Sequence, residues 1–147
     1  NIFSTPADYK HWDGRWKDLV ENNPGVHFAW HTDYPVLGDP NPMLHLQGFL
    51  TRRQMLDDGT FCDPAAWAAD DLLTIDEVLP MMTREGAYAL RRDDIGSLEN
   101  GKMADLVILT ENPQETDPYQ IQDIQVLMTM VDGNVEFCRS GFEALCP

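Results

Sequence analysis

The sequence predicts an α/β unit followed by a small antiparallel β unit, on three observations. A helical apolar pattern leads directly into the near-continuous apolar run Val26-His27-Phe28-Ala29-Trp30-His31. Thr74-Ile75-Asp76-Glu77 carries a capping-box signature and opens the clearest helix of the chain. After Arg92 the pattern changes to short apolar runs separated by Asn-Gly and Asp-Gly, the chemistry of tight hairpin turns. Residues 1–92 are therefore expected to form the βα part and residues 93–147 the strand-rich part.

Trp12, Trp16, Leu19 and Val20 fall on one side of a helix spanning 6–23, and Asn22-Asn23-Pro24-Gly25 stops it. Residues 26–31 then read as a strand, and their lack of alternation suggests a parallel sheet covered on both faces. Residues 35–45, rich in Pro, Gly, Asn and Asp, form a loop. Met43 to Leu56 reads as a helix bearing Leu46, Phe49 and Leu50, with Arg52 and Arg53 near its end. Gly59 to Pro64 breaks that pattern, and a small apolar stretch surrounds Trp67. From Thr74 onward Ile75, Val78, Leu79, Met82, Gly86, Ala89 and Leu90 share a face, and Pro80 predicts a kink or break. Ile95–Leu98, the turn Glu99–Lys102 and Ala104–Thr110 make a first hairpin candidate. Ile124–Val131, Asp132-Gly133-Asn134 and Val135–Phe137 make the second.

Composition narrows the partners. Asp and Glu outnumber Lys and Arg by 25 to 10 in 147 residues, a formal charge of −15, so little in the chain could neutralise nucleic-acid phosphates. No apolar run approaches the length of a bilayer span. Neither nucleic acid nor membrane is an expected partner. Hydrophobic residues at 43% argue against a disordered acidic tail. Cys62, Cys138 and Cys146 contain no close CxxC pair, which argues against a zinc ribbon, although a bridge between Cys138 and Cys146 stays open for an exported protein. Compartment is undetermined on these grounds, with the cytoplasm favoured.

The chemistry-bearing feature is the run His31-Thr32-Asp33-Tyr34-Pro35 at the end of the apolar segment. A carboxylate at the tip of a buried strand can reach substrate, while Asp and Pro also mark ordinary turns. If strand geometry continues, His31 points to the same side as Asp33 and could contact substrate or tune the carboxylate. His27, His45 and His11 read as structural. Arg52 and Arg53 read as a solvated helix end, and Asp105 as structural.

Taken with Thr83–Leu90, the run Ile95–Leu109, Asn112-Pro113 and Val131-Asp132-Gly133, the segment His31–Val36 resembles the C-terminal portion of the metal-dependent amidohydrolase superfamily, in an exoenzyme-like branch acting on amides and related C–N bonds. The resemblance covers roughly residues 24–137. It implies a C-terminal fragment of a (β/α)8 barrel, with residues 26–31 as the eighth strand, and part of a flanking β-sandwich from residues 95–137. It also implies that Asp33 is a metal ligand that orients and deprotonates a metal-bound water, with His31 as an outer or substrate contact.

The implied cofactor is a divalent metal, zinc above all, held in a complete parent. The family's histidine ligands from earlier barrel strands have no counterparts in these 147 residues. No metal is expected to bind tightly to this chain alone, because a catalytic zinc needs three protein ligands. The resemblance thus implies a metal-dependent hydrolase of non-peptide amides in the parent and an inactive isolated fragment. The implied partners are the missing N-terminal portion or another copy, and a small-molecule substrate. The alternative is a noncatalytic binding or assembly module that keeps the same architecture.

Overall fold

The computed structural model describes residues 15–35, 39–56, 58–66 and 68–146. The part of the first predicted helix that holds His11 and Trp12, and the stretch at Trp67, lie outside them. In chain order the elements are α1 (Trp16–Glu21), α2 (Pro42–Thr51), a two-stranded hairpin β1–β2 (Gln54–Met55 and Phe61–Cys62), α3 (Ile75–Met82), α4 (Arg84–Ala89), β3 (Leu106–Leu109), a 3₁₀ turn (Ile121–Asp123), β4 (Val126–Val131), β5 (Asn134–Cys138) and a last 3₁₀ turn (Glu143–Leu145).

The core forms where α2, α3 and the first 3₁₀ turn converge. Met43, Leu46 and Leu50 from α2 pack with Leu73, Val78, Met81, Ile121 and Ile124, and Val20, Phe28, Trp30 and Leu109 close over them. Residues from both sides of position 92 therefore share one apolar cluster. Gln47 is buried in the same region, and its side-chain carbonyl accepts the Gln122 amide at 3.2 Å.

Helix ends follow their local chemistry. The Asn41 side chain accepts the Met43 amide at 3.0 Å, and Pro42 needs no partner for an amide it lacks. Thr51 donates its hydroxyl to the Gln47 carbonyl at 2.7 Å, and Arg52 ends α2 in the left-handed region at φ 56°. The helix consequently stops before Leu56, and Gln54–Met55 pairs with Phe61–Cys62 instead. At α3, Glu77 reaches back to the Thr74 amide at 2.7 Å and accepts the Thr74 hydroxyl at 2.8 Å. Pro80 removes one ladder donor, and the helix breaks at Thr83. The break shifts the helical phase, so Ala87 is buried while Ala89 and Leu90 are exposed, against the single continuous face expected.

The predicted (β/α)8 architecture is not what these residues form. The sheets are a two-stranded and a three-stranded one, all pairings are antiparallel, and no TIM-barrel closure exists among the described residues. Residues 26–31 are not a strand. Phe28 and Trp30 turn towards the core while His27, Ala29 and His31 face out, and the Trp30 amide bonds to the Met81 carbonyl at 3.1 Å rather than to a strand. A strand needs a lateral neighbour to satisfy its ladder groups, and this segment has a helix end beside it.

The sandwich is likewise a single sheet, in the order β3-β4-β5. The second predicted hairpin forms, with Asp132 and Gly133 both at positive φ in the two-residue loop between paired Val131 and Asn134. The first does not: β3 pairs with β4, and residues 95–97 lie in a run of bends. A disulfide joins Cys138 at the end of β5 to Cys146.

Gly96 explains why that segment leaves the sheet. Its φ is +86°, and a Cβ there would lie 2.7 Å from the Ala87 Cβ and 3.0 Å from the Arg84 Cα. The loop therefore lies flat on α4. Gly96→Ala should cost about 2–5 kcal/mol, the sum of left-handed strain and forced repacking. Gly101→Ala, with φ +92° and open space around the added carbon, should cost only about 1–2 kcal/mol. Urea denaturation of both variants checks the difference.

A second prediction comes from α1. Lys17 donates to both Glu77 carboxylate oxygens at 2.7 and 2.9 Å, joining α1 to the start of α3. Partial burial pushes the Glu77 pKa up, but the hydrogen bonds from Lys17 and Thr74 outweigh it and hold the carboxyl below its ordinary 4.5. A lowered folded pKa contributes stability above the ordinary value and loses it as pH falls through the lowered one. The hydrogen bond from Lys17 to Glu77 raises the lysine pKa above its ordinary 10.5, so that contribution is present below 10.5 and fades as pH rises through the raised value. Glu77→Gln should destabilise the chain by roughly 1–2 kcal/mol at neutral pH. The gap between variant and wild type should shrink as denaturation is repeated at successively lower pH below 4.5.

Candidate functional site

The candidate site is the turn that follows the extended segment at 26–30. Trp30 anchors it, because α3 ends nearby and leaves its last carbonyls without intrahelical donors. Thr83 supplies its hydroxyl to the Leu79 carbonyl at 2.8 Å, and the Trp30 amide takes that of Met81. Past Trp30 the chain turns sharply. Asp33 adopts φ +53°, a left-handed conformation that Asp tolerates better than most residues. The Tyr34 amide donates to the Thr32 hydroxyl at 3.1 Å, which fixes the turn.

These constraints bring together the two residues that the sequence singled out. His31 Nδ1 lies 2.9 Å from Asp33 Oδ1. Both side chains are open to solvent, 77% and 56% exposed. An exposed carboxylate beside an imidazole can accept a proton or a cation, but water competes for it until another surface covers the site. Strand geometry is not what pairs them, since Asp33 sits in a left-handed turn.

The other histidines have structural surroundings. His27 stacks on Tyr88 with ring centroids 3.6 Å apart, and its Nδ1 meets Glu85 at 2.5 Å. His45, in the first turns of α2, lies with its ring centroid 5.3 Å from that of Trp30. Its Nε2 donates to the Asp39 carbonyl at 2.5 Å. Sequence reading gave His45 no role, because nothing local signals contact with residues on either side of Asp33. Thr32 was also missed, although a hydroxyl two residues before a turn amide is a recognisable turn-forming pattern.

Arg53 is held rather than free. Its guanidinium lies 5.3 Å from the Phe61 ring centroid and 5.5 Å from that of Tyr119, and its Nε is 2.9 Å from Asp63. A surface depression of about 490 Å³ is lined by Gln54, Met55, Leu56 and Asp58 and includes neither Asp33 nor His31. No group of three or more His, Cys, Asp or Glu able to hold a metal ion occurs among the described residues. Asp33 and His31 offer two donors where a catalytic zinc requires three, so these residues alone do not fit the implied metal.

Asp105, within the most distinctive motif of the chain, works on the hairpin. Its Oδ1 accepts the Asp132 amide at 2.7 Å, and the Gly133 amide bonds to the Ala104 carbonyl at 3.2 Å. The motif thereby locks the β4–β5 turn against the start of β3.

Residues 11–137 match the model of the amidohydrolase family. The N-substituted formamide deformylase of Arthrobacter pascens is 32% identical over 84% of this chain and 27% of its own length. The imidazolonepropionase of Bacteroides thetaiotaomicron is 42% identical over 42% of this chain and 15% of its own length. The chain thus spans about a quarter or less of these relatives. No solved structure gives a significant match.

Asp105→Ala should leave the Asp132 amide without its acceptor and cost about 1–2 kcal/mol, whereas Asp105→Asn keeps an acceptor oxygen and should cost less. Faster hydrogen exchange at Asp132 in the alanine variant alone is the expected readout.

Proposed function

Because the chain belongs to the amidohydrolase family, we propose that it is the C-terminal portion of a longer hydrolase that cleaves C–N bonds of small non-peptide amides, with Asp33 as the proton acceptor. The observation that carries this reading is the 32% identity, across 84% of the chain, to a protein named for deformylating N-substituted formamides. In this reading residues 1–92 carry the chemistry and residues 93–147 buttress them.

The chemistry follows from what a carboxylate can do beside an amide. Asp33 takes a proton from water as the water oxygen attacks the carbonyl carbon, and it delivers that proton to the nitrogen as the C–N bond breaks. The products are a carboxylic acid and an amine. His31, 2.9 Å away, orients the carboxylate. The left-handed turn at Asp33 supports the assignment, since uncommon backbone conformations gather where a side chain must be presented.

Any divalent ion, zinc above all, belongs in this reading to the longer polypeptide, whose other residues must supply the ligands that this chain lacks. That polypeptide is also the partner that covers the exposed turn, with a small amide entering between the two. Asp33 is this chain's contribution to both tasks.

In the full-length polypeptide, Asp33→Asn should lower formate release from N-butylformamide by about 10²–10⁴-fold, the range removed with a general base. The 147-residue chain alone should release none. Turnover at the wild-type rate in Asp33→Asn would sink the proton-acceptor role.

A further inference from the structure

We propose that His45 is a positioning residue for Asp33, clamping the chain on both sides of it. This rests on the assignment of Asp33 made above. His45 contacts Trp30, three residues before Asp33, through ring packing with centroids 5.3 Å apart and an angle of 58° between planes. It also contacts Asp39, after Asp33, through the hydrogen bond from Nε2 to the backbone carbonyl at 2.5 Å. One half-buried imidazole therefore holds two points between which the candidate base is carried.

Both points are themselves fixed. Trp30 packs on the core and bonds through its amide to Met81, while the Asp39 carboxylate accepts the Asn41 amide at 2.7 Å and Asn41 caps α2. His45 rides on that same helix, so it refers the position of the turn to the rigid part of the molecule. A carbonyl oxygen can only accept, so Nε2 must carry a proton for the bond to exist. The ring face supplies the Trp30 contact and the N–H supplies the Asp39 contact. These two functions can be separated by substitution.

His45→Phe keeps a ring against Trp30 and removes the donor, whereas His45→Gln keeps an N–H donor of similar reach. In ¹⁵N-resolved spectra of the full-length polypeptide, His45→Phe should move the Asp33 and Tyr34 amide resonances and His45→Gln should leave them near their wild-type positions. In the full-length polypeptide acting on N-butylformamide, His45→Phe should lower kcat by about 10–100-fold with KM little changed, the scale of a displaced catalytic group. His45→Gln should recover most of that loss.

Wild-type amide positions or a wild-type kcat in His45→Phe would overturn the proposal, and so would a glutamine variant as impaired as the phenylalanine one. Asp33→Asn assayed alongside separates the two assignments. Retained turnover there removes the proton-acceptor reading and leaves the His45 link to be decided by the amide resonances. Lost turnover there with an unaffected His45→Phe removes only the link.

Discussion

Leu46, Val78 and Ile121, each wholly buried, belong to the apolar cluster on which the described residues converge. They come from three elements far apart in sequence, so the cluster forms only if α2, α3 and the 3₁₀ turn converge. Other ordered features hang from that convergence. Trp30 lies on it and carries the turn with Asp33, Leu109 brings β3 to it, and Gln47 reaches through it to the 3₁₀ turn. Fully burying a side chain of this kind stabilises by roughly 1.5–3 kcal/mol. Loss of any one of the three would be felt at the candidate site as well as in the sheet.

Helix ends, rather than sheet edges, supply the polar half of the design. The break after Pro80 leaves carbonyls that the Thr83 hydroxyl and the Trp30 amide then satisfy. A sequence irregularity is thereby converted into an attachment point for the segment that presents His31 and Asp33. The same logic works at the start of α3, where Glu77 serves the Thr74 amide and Lys17 together.

What could be read from the sequence was what is decided locally. The Thr74–Glu77 cap, the break caused by Pro80 and the Asp132-Gly133 hairpin depend on residues within a few positions of one another, and all three form. The expected strand at 26–31 depended on neighbours, and the apolar run that suggested it packs its alternate residues on helices instead. The first hairpin failed for a similar reason: the Asn100-Gly101 turn exists, with the Lys102 amide bonded to the Glu99 carbonyl, but Gly96 is pressed onto α4. At the candidate turn the sequence singled out His31 and Asp33, which the structure brings within 2.9 Å of each other, whereas the contacts of His45 with Trp30 and Asp39 are created only by tertiary packing and had no local signal.

The bridge between Cys138 and Cys146 gives the carboxyl-terminal end of the chain a different connectivity from the rest. Cys138 stands opposite Met128 in the ladder, so residues 139–145 form a covalent ring hung from a paired strand. A single cut of the backbone inside that ring would not release a fragment, because the two new ends would stay joined through sulfur. Nicked and intact molecules would have nearly the same mass until a reductant was added. The last turn is therefore retained by topology as well as by its contacts.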